Sequence, residues 1–273
     1  MAVLTDLVLV PFGASLDELL AAAQAVDRGG FDTVWTYDHF SGLVQGAPWS
    51  RDPFVTLGAI AATTERVNLG VLVANVANRH PAQLACATNS VQSLAPGRVL
   101  LGIGAGTAAS SEWSAEARAI GRPIAAATTR RTILAETIGA VRAVWAGEPY
   151  AGEHVRVAGA MAVTDGAPPP RIIVGAANRD TIAVGCAHAD GVNLLPGGEL
   201  AERVAFARQH AVAPSFEVSA FLALDADHPL GGDPSDLVAL GVDRRTLYVG
   251  TPLPLDAIAG IAAKLQEWNP VNG

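Results

Sequence analysis

Eight short apolar runs alternate with helical stretches along this chain. The clearest copy of that unit lies between Val67 and Gly106. Val67 to Val73 is a near-continuous apolar run, the pattern of a strand buried on both faces. Asn75 to His80 is a polar turn, and Pro81 stands where its fixed φ suits the first turn of a helix. Ala82 to Leu94 continues as a helix that Pro96-Gly97 stops, and Val99 to Ile103 is the next buried strand. Strand, crossover helix and strand make one βαβ unit, and repeating that unit commits a chain to a parallel sheet.

The same alternation is predicted on either side. Strands are expected at Val3–Val10, Asp32–Thr36, Arg171–Gly175, Asp190–Leu195, Phe216–Leu224 and Thr246–Val249. Helices are expected at Leu16–Arg28 behind a Ser15 cap, from Pro53 to near Glu65, and at Arg130–Trp145, Asn178–His188, Glu199–Ala211, Pro234–Leu240 and Asp256–Trp268. Thr107–Thr128 is an irregular stretch where a substrate loop fits, and Val155–Val163 is a candidate hairpin. Eight βα units in about 250 residues predict a single α/β domain over residues 1–273, a (β/α)8 TIM barrel. The rival is a doubly wound open sheet.

Composition narrows the function. The formal net charge of −8 argues against nucleic acid as a partner. Lys264, the one lysine, falls in the last predicted helix, which argues against Schiff-base and pyridoxal-phosphate chemistry. The six histidines form no metal-binding spacing, so no metal is expected. Cys86 and Cys186 read as buried free thiols. No apolar run reaches membrane-span length, and MAVLTDLVLVP lacks the basic start of a signal peptide. A cytoplasmic protein without membrane partners is the expectation.

The C-terminal strand ends of a (β/α)8 barrel carry its chemistry. His39, beside Asp38 at the end of the second strand, is a candidate acid or base, or else a hydrogen-bonded loop residue. Gly102, Gly104 and Gly106 allow a flat ring to approach the backbone closely, or else make a tight turn. Gly175-Ala176-Ala177-Asn178 opens into a helix N-terminus that favours a phosphate, or is an ordinary start capped by Asn178.

Together these residues resemble a known family. Its signatures are matched by Tyr37-Asp38-His39-Phe40, by Arg79-His80-Pro81, by the Pro96–Gly106 run, by Arg131, Glu136, Arg142, Trp145 and Gly147, and by Pro170–Asn193. The chain resembles the bacterial luciferase-like monooxygenases, in their branch dependent on the deazaflavin coenzyme F420. The resemblance implies an oxidoreductase that passes a hydride between F420 and a small organic substrate, often as a homodimer. It implies that Asp38 and His39 lie beside the tricyclic ring, that a bulge near Leu72 and Val73 backs it, and that Gly175 to Asn178 hold the phosphate. Where a sugar-phosphate dehydrogenase subgroup has a glutamate and a tryptophan, this chain has Thr107 and Leu43, and Glu112 is the expected replacement acid. The alternatives are an FMN-dependent monooxygenase, a glycoside hydrolase pairing Glu112 with Asp225 or Asp227, and a barrel that binds a cofactor without catalysis.

Overall fold

The computed structural model describes residues 3–196, 199–223, 233–250 and 254–268. Eight parallel strands close into a barrel: β1 (Leu4–Val8), β2 (Thr33–Thr36), β3 (Asn68–Asn75), β4 (Val99–Gly104), β7 (Arg171–Ala176), β8 (Gly191–Leu194), β9 (Glu217–Ala223) and β10 (Arg244–Tyr248). Each pairs with its neighbour in chain order, and β10 returns to β1 with Leu4 opposite Arg244 and Val8 opposite Tyr248. The sheet has no open edge, which removes the doubly wound alternative. A two-stranded antiparallel ribbon, β5 (Tyr150–Ala151) with β6 (Arg156–Val157), lies outside the barrel.

The crossover helices are α1 (Leu16–Arg28), α2 (Pro53–Ala61), α3 (Pro81–Leu94), α5 (Ala127–Ala146), α6 (Arg179–His188), α7 (Leu200–His210), α8 (Pro234–Leu240) and α9 (Leu255–Trp268); a short α4 (Ala115–Ala119) lies between β4 and α5. Local chemistry explains their starts. Ser15 and Glu18 form a capping box on α1, Asp52 caps α2 ahead of Pro53, and Pro81 opens α3. Several boundaries differ from expectation. α2 stops at Ala61: the N–H groups of Ala62 and Thr63 close its last turn, and those of Glu65, Arg66 and Val67 donate instead to the Asp27 carboxylate. The hairpin pairs Tyr150–Ala151 with Arg156–Val157, because Gly152 and Val155 close the turn and the Glu136 carboxylate receives the N–H groups of residues 153–155. Cys186 is buried as expected, whereas Cys86 is exposed on α3. The predicted end of the seventh strand, Leu224, lies outside the described residues.

Two apolar cores follow from the alternation of side chains along each strand. One face of the strands packs with the helices, as in Leu7, Val34, Leu69, Val71, Leu101, Val174 and Leu247. The other fills the barrel with Val8, Val10, Phe12, Trp35, Leu72 and Ile173. Trp35 is the largest of these and only 1 % exposed. Gly70, opposite it across β2 and β3, makes the room: a Cβ there would stand 2.2 Å from the indole. Below Trp35 the barrel floor is ionic. The Trp35 indole N–H donates to Asp6 at 2.7 Å, and Arg244 joins Asp6 at 2.5 Å to Glu217 at 3.0 Å. Burial pushes the Asp6 carboxyl up to about 7, against the opposing pull of Arg244.

Candidate active site

The site lies at the C-terminal strand ends, and the bulge of β3 shapes it. The β3–β4 register shifts between Val71 and Ala74, and the Leu72–Val73 peptide is cis. The bulge turns Val73 inward, and two glycines receive it. A Cβ on Gly104 or on Gly175 would stand 2.6 Å from a Val73 methyl, and one on Gly102 would stand 2.2 Å from the Val71 carbonyl oxygen. The glycines of β4 therefore seat the neighbouring strand. Gly106, at φ +73°, makes room for a side chain instead, since Asn75 Oδ1 stands 2.9 Å from where its Cβ would be.

Asp38 is buried and anchors the end of β3. It accepts the Asn75 N–H at 3.1 Å and two Arg79 hydrogen bonds at 2.9 and 2.7 Å. Arg79 also reaches Asp52 at 2.7 Å and lies over the Phe54 ring. Its carboxylate partners hold the guanidinium well above its usual range, against the lowering effect of burial.

His39 follows Asp38 in the loop beyond β2 and meets a different set of partners. Its Nδ1 lies 3.2 Å from Glu116 Oε2, and Glu116 Oε1 accepts the Ser41 N–H at 3.0 Å. The imidazole stands between the rings of Phe12 at 5.5 Å and Trp113 at 4.9 Å. Tyr37 meets it edge-on at 6.3 Å and stacks with Tyr248 at 6.5 Å. Burial raises the Tyr37 hydroxyl beyond the working range, so it stays neutral. The result is an aromatic rim around one half-buried histidine backed by a buried carboxylate.

This corrects one expectation. Glu112 is exposed at the start of a 3-10 turn, Glu112–Ser114. The acid that meets His39 is Glu116, on the next turn in α4, with only 7 % of its side chain accessible. Trp113 was also missed. The 107–128 stretch carries no helical period by which to choose between the two glutamates, although both are in view in the sequence.

On the far side of the rim, Gly175 and Ala176 are buried at the end of β7, and Ala177 and Asn178 are exposed. The Asn178 side chain caps α6 by accepting from Thr181 N at 3.0 Å. Arg179 points away, to Glu202 at 3.1 Å and over the Phe206 ring. Arg203 supports the loop from beneath, donating to the Ala176 and Leu195 carbonyls at 2.7 Å each. Asp225, Asp227 and Thr251 lie outside the described residues.

A cavity of about 630 Å³ opens beside the pair. Its walls are the turn from Asn75 to Pro81, Gly106 and Thr107, the Trp113–Ala125 segment, the first half of α5, and His154–Arg156 on the ribbon. Glu116 and Trp113 form the side toward His39. Among the described residues no cluster of metal-binding side chains occurs, and no helix is long and apolar enough to cross a membrane.

Such a barrel, with a bulged third strand and a histidine on its rim, defines a class that comparison with known proteins identifies. The luciferase-like monooxygenase model matches residues 6–225, and the chain belongs to that family. Among curated relatives it is similar to an F420-dependent hydroxymycolic acid dehydrogenase of Mycobacterium tuberculosis, 29 % identical over 178 residues that cover 64 % of this chain and 48 % of the relative. It is also similar to an F420-dependent glucose-6-phosphate dehydrogenase of Beutenbergia cavernae, 36 % identical over 132 residues, 48 % of this chain and 38 % of the relative. The chain thus matches half or less of the length of these relatives. A solved F420-dependent secondary alcohol dehydrogenase in complex with an F420-acetone adduct superposes with a TM-score of 0.78 at 15 % identity, covering 96 % of this chain and 98 % of that one, a likeness of fold.

Proposed function

We propose that this chain is an oxidoreductase that uses coenzyme F420 to move a hydride to or from a small organic substrate, with His39 handling the proton. The observation that carries this reading is the His39–Glu116 pair, at 3.2 Å, set in an aromatic rim at the barrel mouth. The F420-dependent relatives support the choice of coenzyme.

The residues present fit a flat ring with a phosphate. Leu72, Val73 and Gly106 offer a close backbone surface, with Gly104 backing Val73. Gly175, Ala176, Ala177 and Asn178 lead into the N-terminus of α6, where N–H groups suit a phosphate. Asp38 acts on the ring indirectly, by fixing Asn75 and Arg79. When bound, F420 supplies a two-electron hydride carrier.

The remaining chemistry belongs to the chain. A Glu116 carboxylate can only accept, so the His39 proton sits on Nδ1 and Nε2 presents its lone pair. Nε2 takes the hydroxyl proton of an alcohol being oxidised, and the imidazolium returns a proton to a carbonyl being reduced. Glu116 stabilises that imidazolium, while Phe12 and Trp113 hold the ring and keep water from its faces.

The test is titration of the purified protein with F420 and with FMN, followed by turnover with alcohol and carbonyl substrates. Saturable F420 binding with a change in its absorbance on turnover supports the proposal. Tight FMN binding with oxygen uptake replaces it with the FMN-dependent monooxygenase. Light scattering on the same sample tests the homodimer.

A further inference from the structure

The cavity beside Glu116 is charged against the trend of the molecule. The chain carries 26 acidic and 18 basic residues. The cavity wall nevertheless holds Arg79, Arg122, Arg130 and Arg156 with His80 and His154, and Glu116 is its one carboxylate.

Arg79 is committed to Asp38 and Asp52, but the other three guanidiniums are not matched in this way. Arg122 donates to the Ala77 carbonyl, which pins it across the cavity. Arg130 donates to the Ala125 carbonyl at 2.8 Å, while its buried Nε has no partner. Arg156 is exposed on the ribbon that Glu136 holds over α5. None of the three is paired with a carboxylate among the described residues. α5, a helix of 20 residues, begins at this wall with Ala126 in the cap position and no side-chain cap. Its first N–H groups add partial positive charge to that of the three arginines. Convergent cations on low-dielectric walls, without matching anions, focus a positive field into the space they enclose.

We infer that this cavity binds the anionic end of the substrate, a small organic acid with at least two negative groups, carboxylate or phosphate, gripped by Arg122, Arg130 and Arg156. This rests on the reading of His39 as the proton handler: the cavity shares Glu116 and Trp113 with the imidazole, so a ligand held in it lies next to that pair, although His39 itself is not on the cavity wall. A volume of about 630 Å³ suits a compact metabolite and not a macromolecule.

Binding is tested apart from turnover. Citrate and pyrophosphate are titrated calorimetrically into the full chain at low salt, with glycerol as the neutral control. Saturable binding of either anion is expected, weakened about tenfold or more in Arg130→Gln and in Arg156→Glu. Arg156 is exposed, so its variant keeps the fold even if that of Arg130 does not. Absence of saturable binding to the wild type, or equal affinity in a folded Arg156→Glu variant, overturns the inference. F420 is titrated into the same proteins. Unchanged F420 affinity in Arg156→Glu together with loss of anion binding supports the substrate assignment, and a parallel loss of both overturns it by giving the cavity to the coenzyme. If the wild type binds the anions and not F420, the reading as an F420 enzyme fails while the anion site stands.

Discussion

At the scale of single residues, the site divides labour between two neighbours that face opposite ways. His39→Ala is expected to lower kcat by about 10²–10⁴, the usual worth of general acid–base help, with little change in melting temperature. Steady-state kinetics and thermal melts on one preparation check both halves. Glu116→Gln keeps the shape and removes the charge proposed to stabilise the imidazolium, so kcat is expected to fall by about tenfold or more while KM moves less. Asp38→Ala acts otherwise. It leaves Arg79 with Asp52 alone and frees Asn75, so it is expected to destabilise by about 3 kcal/mol, seen in urea unfolding. That Asp38 and His39 sit at a strand end was legible from the barrel pattern, but β2 stops at Thr36, so their opposite directions come from their partners, Arg79 and Asn75 for one and Glu116 for the other. The identity of the acid was not: Glu112 and Glu116 are four residues apart in a segment without periodicity, and only the packing of α4 against the rim selects the second.

Among the elements, β3 and β4 account for a motif that sequence alone left open. Gly102, Gly104 and Gly106 suggested a ring-binding loop or a tight turn. In the structure the first two leave room for the bulge of β3 and the third for the Asn75 side chain, which accounts for the lack of a side chain at each whether or not a ring binds there. Gly175→Ala places a methyl group 2.6 Å from Val73, and overpacking of this kind costs about 1–3 kcal/mol. Val73→Ala in the same chain restores much of that loss, since the Val73 Cβ itself lies 3.7 Å away. A double-mutant cycle measures the recovery, and additive effects of the two changes contradict the account. The elements whose boundaries were misread are those set by tertiary partners. The eighth strand is expected from Thr246, yet it begins at Arg244, and Arg244 and Arg245 are both buried in β10, because Asp6, Thr5 and Glu217 receive them on β1 and β9. The eight βα units were legible because a strand covered on both faces must be apolar throughout.

For the whole molecule, closure of the barrel depends on ionic groups at its floor, and this gives stability a pH dependence of known sign. A native Asp6 value of about 7 lies above the ordinary aspartate range, so the folded state holds this proton more tightly than the unfolded chain does. The contribution of Asp6 is therefore largest below about pH 4 and is lost as pH rises toward 7. Relative to Asp6→Asn, the wild type is expected to lose stability by a few kcal/mol across that window, at most about 1.4 kcal/mol for each step of one in pH, as measured by urea unfolding at several pH values. A constant difference between the two proteins contradicts it. The barrel supplies His39, whereas the excursion between β4 and α5 supplies Glu116 and Trp113. That excursion leaves and rejoins a closed sheet without contributing a barrel strand to it. Part of the proposed site thus rides on a segment outside the sheet, whose sequence can change while the eight strands, and His39 with them, stay as they are.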